Sequence, residues 1–169
     1  MYTIGRFGFN GTALAVAIAL AIGSTAAMAT TPPAVGQLPG KGGIVSGHVA
    51  AGKVVNGQQT ITIGNASDTA AANAVINWGS GSAINAGGLG GFNIGAAARL
   101  AFTDGSGHGA AVLNIDSSGN PSQIYGKLSG TGTSVFVANA NGIVVGSGAS
   151  LSSTAGVGLI ANQTIAGTG

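Results

Sequence analysis

The chain has 169 residues, a length that suggests one domain. Only 5% of the residues are charged, 45% are hydrophobic and 33 are glycine, which argues against disorder, since disordered chains combine low hydrophobicity with high net charge. The absence of cysteine excludes disulfides, zinc–thiolate sites and a thiol nucleophile.

The N-terminus has the order of a secretory signal. Arg6 precedes the apolar run "ALAVAIALAI", residues 13–22, and Ala27-Met28-Ala29 supplies a small-x-small cleavage site before Thr30. A membrane anchor is the alternative, but this run is shorter than the ~20 residues that span a bilayer. Residues 1–29 are therefore predicted to be a signal peptide, handled by the Sec machinery and signal peptidase, and residues 30–41 a Pro/Gly-rich linker.

From residue 42 onward the sequence predicts strands and no amphipathic helix. Short β-prone runs alternate with Gly, Asn and Ser: "GIVSGHV", "TITI", "AVINW", "FNI", "RLAF", "AVLNI", "QIYGKL", "VFVA", "GIVVG" and "GVGLIA". Such spacing is typical of a sandwich, a barrel or a β-solenoid. The shortage of charge favours the solenoid, because stacked Asn, Ser and Thr ladders replace a charged surface. Residues 42–59 are the candidate N-terminal cap, and Asn141-Gly142 predicts a turn.

Residues suited to catalysis or ligand binding are few. Asp68, Asp104 and Asp116 each lie in a Gly/Ser-rich segment and are interpreted as turn residues. His48 and His108 are too isolated to suggest a metal site. After Arg6, the cations are scattered along the sequence and too few to neutralise a row of phosphates, so nucleic acid is not an expected partner. Neither enzymatic activity nor a cofactor is expected.

Five motifs in order carry a resemblance to a known family. They are Ile76-Asn77-Trp78, Phe92-Asn93-Ile94-Gly95, Val112-Leu113-Asn114, Pro121-Ser122-Gln123-Ile124 with Gly126, and Asn139-Ala140-Asn141-Gly142-Ile143. From about Leu38 to Ala161 the chain resembles the N-terminal two-partner secretion domain of filamentous-haemagglutinin-like exoproteins (the haemagglutination activity domain). Two departures stand out: Ala140 replaces the family's proline, and residues 81–91 look like an insertion.

The resemblance implies an all-β fold, a right-handed parallel β-helix with N-terminal capping strands. It assigns residues 42–169 to the secretion domain, expected to be incomplete at the C-terminus. It further implies recognition by the periplasmic modules of an outer-membrane transporter in a Gram-negative bacterium, followed by export to the cell surface. The signature residues for that recognition would be Asn77, Trp78, Phe92, Asn93, Asn114, Gln123, Asn139, Asn141, Gly142 and Ile143.

Each signature residue also has a structural interpretation, in which asparagines form ladders or turns and Trp78 packs in the core. Two further functions stay open beside secretion targeting. One is an adhesin that binds host-cell or neighbouring surfaces directly. The other is a β-helix enzyme acting on polysaccharide, which the scarcity of charged residues disfavours.

Overall fold

The computed structural model describes residues 31–161. The predicted signal peptide, with its cleavage residues Ala27, Ala29 and Thr30, therefore lies outside the described residues, as do residues 162–169. The described chain is all-β, with no helix, as predicted. It follows that no helix in this part of the chain is long and apolar enough to cross a membrane.

Thirteen strands form the described chain. They are β1 (Gly42–Ser46), β2 (Val49–Ala51), β3 (Gln58–Ile63), β4 (Ala72–Trp78), β5 (Asn93–Ile94), β6 (Arg99–Asp104), β7 (Ala110–Asp116), β8 (Ser122–Ile124), β9 (Lys127–Thr131), β10 (Thr133–Asn139), β11 (Ile143–Val145), β12 (Ser150–Ser153) and β13 (Val157–Ala161). Most of the predicted apolar runs fall on these strands. "QIYGKL" divides between β8 and β9, and β12 was not predicted because its Ser-rich sequence carries little apolar signal.

The strands form three sheets, and from β3 onward each strand pairs in parallel with the strand three positions later in the chain. The first sheet has the order β1-β4-β7-β10-β13, the second β11-β8-β5 and the third β12-β9-β6-β3-β2. The chain thus passes through the three sheets in succession and returns to the first. We call β4–β6, β7–β9 and β10–β12 the first, second and third units.

The units differ in length, which hides the repeat in the sequence. The strands β4, β7, β10 and β13 begin at residues 72, 110, 133 and 157, so successive units take 38, 23 and 24 residues. The first unit is longer because it contains residues 81–91, the predicted insertion. Ile84 of that segment is almost fully buried, and its backbone N–H donates to the carbonyl of Gly42.

Strand alternation builds one interior from the three sheets. In β4, β7 and β10 every second side chain is buried, and the parallel register stacks these positions from unit to unit. Ala74, Val112 and Val135 form one such column. The largest fully buried side chains are Trp78, Phe92, Phe102 and a set of Ile and Leu residues. Burial of each large apolar side chain is worth ~1.5–3 kcal/mol, so these columns are the main stabilising feature.

The N-terminal segment covers the first strand edge of all three sheets. β1 pairs antiparallel with β4, and β2 pairs antiparallel with β3. In the second sheet the cover flanks β5: Gly40 forms a bridge with Gly91 before the strand, and the carbonyls of Gln37 and Val35 accept hydrogen bonds from the N–H groups of Gly95 and Ala97 after it. The predicted cap, residues 42–59, therefore supplies two of these three covers, which prevent exposure of unpaired backbone groups.

The predicted linker, residues 30–41, needs correction in its second half. Residues 38–40 are buried against the strands: Leu38 is 8% exposed, and Gly40 forms a β-bridge with Gly91. Val35 and Gln37 contribute only their carbonyls. The Pro/Gly composition predicts a linker, but these residues contribute backbone donors and acceptors that composition does not reveal.

The opposite ends of the sheets are β11, β12 and β13. Among the described residues no strand pairs with their outer edges. Several apolar side chains are correspondingly accessible there: Val145 is 46% exposed, Leu159 40% and Ile160 49%. The described chain is thus covered at one end of the stack and open at the other.

Candidate recognition site

Trp78 is the point at which three of the family-like motifs meet. It is fully buried at the end of β4, and its Nε1–H donates to Oδ1 of Asn114 on β7, 3.0 Å away. The Asn114 amide nitrogen in turn donates to the carbonyl of Phe136 on β10, at 3.1 Å. Phe92 packs edge-on against the indole, with ring centroids 5.9 Å apart. Asn114 therefore connects the first, second and third units through one buried amide.

Asp116 forms a second buried junction at the end of β7. Its carboxylate is 4% exposed and accepts hydrogen bonds from the N–H of Phe92 at 2.8 Å, the hydroxyl of Ser122 at 2.6 Å and the N–H of Ser118 at 3.0 Å. The bond to Ser118 confirms the predicted turn role of this aspartate. The bond from Phe92 joins the first unit to the second, and the bond from Ser122 joins β7 to β8 within the second unit. Turn chemistry alone did not predict either bond.

Asn139 continues this junction into the third unit. It is 3% exposed, and its amide nitrogen donates to Oγ of Ser122 at 2.9 Å and to the carbonyl of Asn120 at 2.8 Å. Its side-chain oxygen accepts from the N–H of Asn141 at 2.8 Å. A continuous chain of hydrogen bonds thus runs from Phe92 through Asp116, Ser122 and Asn139 to Asn141.

The Asn-Gly segment is a turn, as predicted, but it does not close a hairpin. The N–H of Gly142 donates to the carbonyl of Asn139 at 3.2 Å, and Gly142 has φ of +100°. β10 and β11, on either side, belong to different sheets and do not pair with each other. The turn is therefore a corner between sheets, held by the N–H of Ser122 donating to the Gly142 carbonyl at 3.0 Å.

The remaining signature residues lie on neighbouring strands. Oδ1 of Asn93 accepts from the N–H of Gln123, the residue opposite it in the β5–β8 pair, at 2.9 Å. Oδ1 of Asn77 accepts from the hydroxyl of Ser117 at 2.6 Å. Gly126 completes its motif for a steric reason: a Cβ there would lie 2.2 Å from the carbonyl oxygen of Gly95. Ile143 pairs with Ser122 in the β11–β8 register and packs against the hydrophobic core. All ten signature residues therefore take part in contacts between units or at corners.

A cavity of about 410 Å³ opens above the Asn139 corner. Within it, Ala140 and Asn141 are exposed whereas Asn139 is buried. Its lining residues are Ile115, Asp116, Ser117, Gly119, Ala138, Asn139, Ala140, Asn141 and Ile160. The corner is thus where the signature residues of the folded chain reach the surface.

The acids and histidines do not assemble into a reactive cluster. Oδ1 of Asp104 accepts from the N–H of Ser106 at 2.8 Å and from its hydroxyl at 2.6 Å, which confirms the predicted turn role. These bonds, led by that of the hydroxyl, lower the pKa of the Asp104 carboxyl. Asp68 accepts from the N–H of Asn65 at 2.9 Å. Within residues 31–161 no group of three or more His, Cys, Asp or Glu is placed to hold a metal ion.

Sequence reasoning missed two residues of the buried junction, Asp116 and Ser122. Asp116 follows the Val-Leu-Asn motif by two positions and Ser122 lies within the Ser-Gln-Ile motif, so both were visible as neighbours of the signature. No protein-family model and no curated protein matches the sequence.

Proposed function

We propose that this chain is the secretion-targeting domain of a filamentous-haemagglutinin-like exoprotein, and that its three sheets wind as a right-handed parallel β-helix. The observation that supports both statements is the convergence of all five motifs on one set of inter-unit contacts. Motifs up to 65 positions apart, from Asn77 to Gly142, meet along the ends of β4, β7 and β10.

Because several of the signature side chains are buried in the folded chain, a partner can contact these only before folding. Trp78, Phe92, Asn114 and Asn139 have at most 3% of their surface exposed. A transporter therefore contacts these side chains before the units close, when the chain is still extended. The periplasmic modules of an outer-membrane transporter then bind the extended motifs by strand addition, in which main-chain hydrogen bonds give affinity and side chains give specificity.

Folding outside the outer membrane makes export one-directional. Once a unit closes, the asparagines that were available to the transporter are occupied by Trp78, Phe136 and Ser122. The folded form no longer presents the side chains of Trp78, Asn114 and Asn139, so their return to the transporter requires unfolding. The chain reaches the periplasm through the Sec machinery and loses its signal peptide there, and the folded domain is displayed at the cell surface.

The experiment is an export assay with the outer-membrane transporter encoded beside the gene. The variants are a deletion of residues 135–151, Asn141→Ala, and Asn73→Ala as a matched control on an exposed position of β4. We expect the deletion to abolish export, Asn141→Ala to reduce it several-fold, and Asn73→Ala to leave it unchanged. Signal cleavage, followed by mass, should be intact in all three.

Asn141→Ala separates recognition from folding, because only its backbone N–H is used in the corner hydrogen bond. Its thermal midpoint should match that of the parent chain while its export falls. Export of the 135–151 deletion at the parent level would contradict the proposal. A genome that encodes no such transporter would contradict it as well.

A further inference from the structure

Three of the four Lys and Arg residues of the described chain line one groove. The sequence separates Lys53, Arg99 and Lys127 by 46 and 28 positions, so they looked scattered. The strand register brings them together on the outer face of the third sheet, where all three are exposed around a cavity of about 320 Å³.

Arg99 and Lys127 occupy the same position in successive units. Each is the first residue of its strand, and the two are paired directly across β6 and β9. Adjacent strands are ~4.8 Å apart, and like charges placed directly opposite each other are destabilising. Two of the few charged side chains in this protein, Arg99 and Lys127, therefore lie where they repel each other.

The aspartates do not neutralise this pair. Asp104 is five residues further along β6, ~16 Å from Arg99 at the usual rise of a strand. The carboxylates of Asp68 and Asp116 accept backbone N–H groups elsewhere, at Asn65 and Phe92. The groove therefore has a positive potential that would attract an anionic ligand.

The rest of the groove is neutral and rich in hydrogen-bonding groups. Gln58, Thr60 and Ser129 present amide and hydroxyl groups between the cations, and no aromatic residue is among the described residues that line it. Arg99 and Lys127 also border a second hollow, of about 210 Å³, on the other side of the pair. The charged pair is thus reachable from both sides by an extended ligand.

We propose that this groove binds an acidic polysaccharide, with Arg99 and Lys127 holding its carboxylate or sulfate groups and the neutral side chains bonding its hydroxyls. The guanidinium fork of Arg99 suits a two-oxygen acid group. A single-stranded nucleic acid would need aromatic stacking as well as cations, and a protein partner would need an apolar centre. Neither is present among the groove's described residues.

Binding can be measured by isothermal titration calorimetry with the full chain at 50 mM and 300 mM NaCl. The probes are polygalacturonate, dextran sulfate, neutral dextran, and a single-stranded oligonucleotide. We expect at least one acidic polysaccharide to bind, more weakly at high salt because the charges are exposed, and neutral dextran not to bind. The two acidic probes distinguish carboxylate from sulfate preference.

The variants Arg99→Gln and Lys127→Gln should each weaken binding by about tenfold, the usual effect of losing one charge-assisted hydrogen bond. Lys41→Gln removes the same charge outside the groove and should change affinity less than twofold. Neither groove variant should lower the thermal midpoint, since each relieves repulsion.

Three results would overturn the proposal: no binding of either acidic polysaccharide at 50 mM NaCl, an equal loss with Lys41→Gln, or tighter binding of the oligonucleotide than of the polysaccharides. None of these results bears on export. Conversely, loss of export in Asn141→Ala together with intact polysaccharide binding would support both proposals independently.

Discussion

Asn114 has no exposed surface, yet both ends of its amide are occupied by neighbours on other strands. This side chain does what an apolar residue of similar size cannot, because the Trp78 N–H and the Phe136 carbonyl both need a partner in the interior. Asn139 has the equivalent role in the next unit. In this chain, hydrogen bonds from buried amides and hydroxyls hold neighbouring units in one register. Apolar packing alone would not specify that register.

We expect Asn114→Ala to lower the free energy of unfolding by about 2–4 kcal/mol, since it leaves two buried polar groups unpaired and a cavity. Urea unfolding followed by circular dichroism measures this loss. Asn73→Ala, an exposed asparagine on the adjacent strand, should change stability by less than about 0.5 kcal/mol. Similar losses in the two variants would show that the buried amide has no special role.

The Asp104 carboxyl should titrate below its ordinary pKa of 3.8, because Ser106 hydrogen-bonds the ionised form. A depressed folded pKa stabilises the fold above the unfolded pKa, and this contribution is lost as pH falls through the folded pKa. NMR titration of the side-chain carbon measures the value. Ser106→Ala should raise it, whereas Ser152→Ala should not; a pKa at or above 3.8 in the parent chain would refute the assignment.

At the scale of elements, the corner between β10 and β11 shows what a local pattern can and cannot specify. Asn141-Gly142 between apolar runs correctly predicts a turn. Whether such a turn closes a hairpin or a corner depends on the strands that pair on either side, and here β10 pairs with β7 and β13 while β11 pairs with β8. Those partners lie at least 17 residues away, beyond the reach of the local pattern.

Ala140→Pro should stabilise the chain by about 0.4–1 kcal/mol. Ala140 follows the last residue of β10 and is the second residue of the turn, a position that favours proline, and the extended backbone before it is compatible with one. The thermal midpoint of the variant tests this. A lower midpoint would mean that the alanine's own N–H is needed.

Gly142→Ala, at the same corner, should destabilise the chain, in contrast to Ala140→Pro. Gly142 has φ of +100°, and a Cβ there would meet no atom within 4 Å, so the cost is purely that of backbone strain. We expect a loss of about 1–2 kcal/mol. An unchanged midpoint would indicate that the corner relaxes without penalty.

At the scale of the molecule, the all-β class, the corner glycines and most strands were predictable from the sequence. The apolar runs "AVINW", "AVLNI" and "VFVA" fall on β4, β7 and β10, which stack in register. Three features were not predictable. The 81–91 segment masks the repeat, residues 35–37 act through their backbone, and the grouping of Arg99 with Lys127 depends on pairing between distant strands.

The covered and open ends of the stack should differ in local stability. Strands β4 and β7 have partners on both sides, whereas β13 has one partner in the described chain and exposes Leu159 and Ile160. Hydrogen exchange should therefore be at least about 100-fold faster for β13 amides than for β7 amides. Uniform protection along the first sheet would contradict this gradient.

Trp78 is the only tryptophan of the chain, and its indole N–H is bonded to a residue of the following unit. Its fluorescence therefore reports the burial of the indole at the end of β4, where β7, Phe92 and Gly42 of β1 surround it. Stopped-flow emission during refolding would time that first closure. The closure of the first unit can thus be followed in the native sequence without an added label.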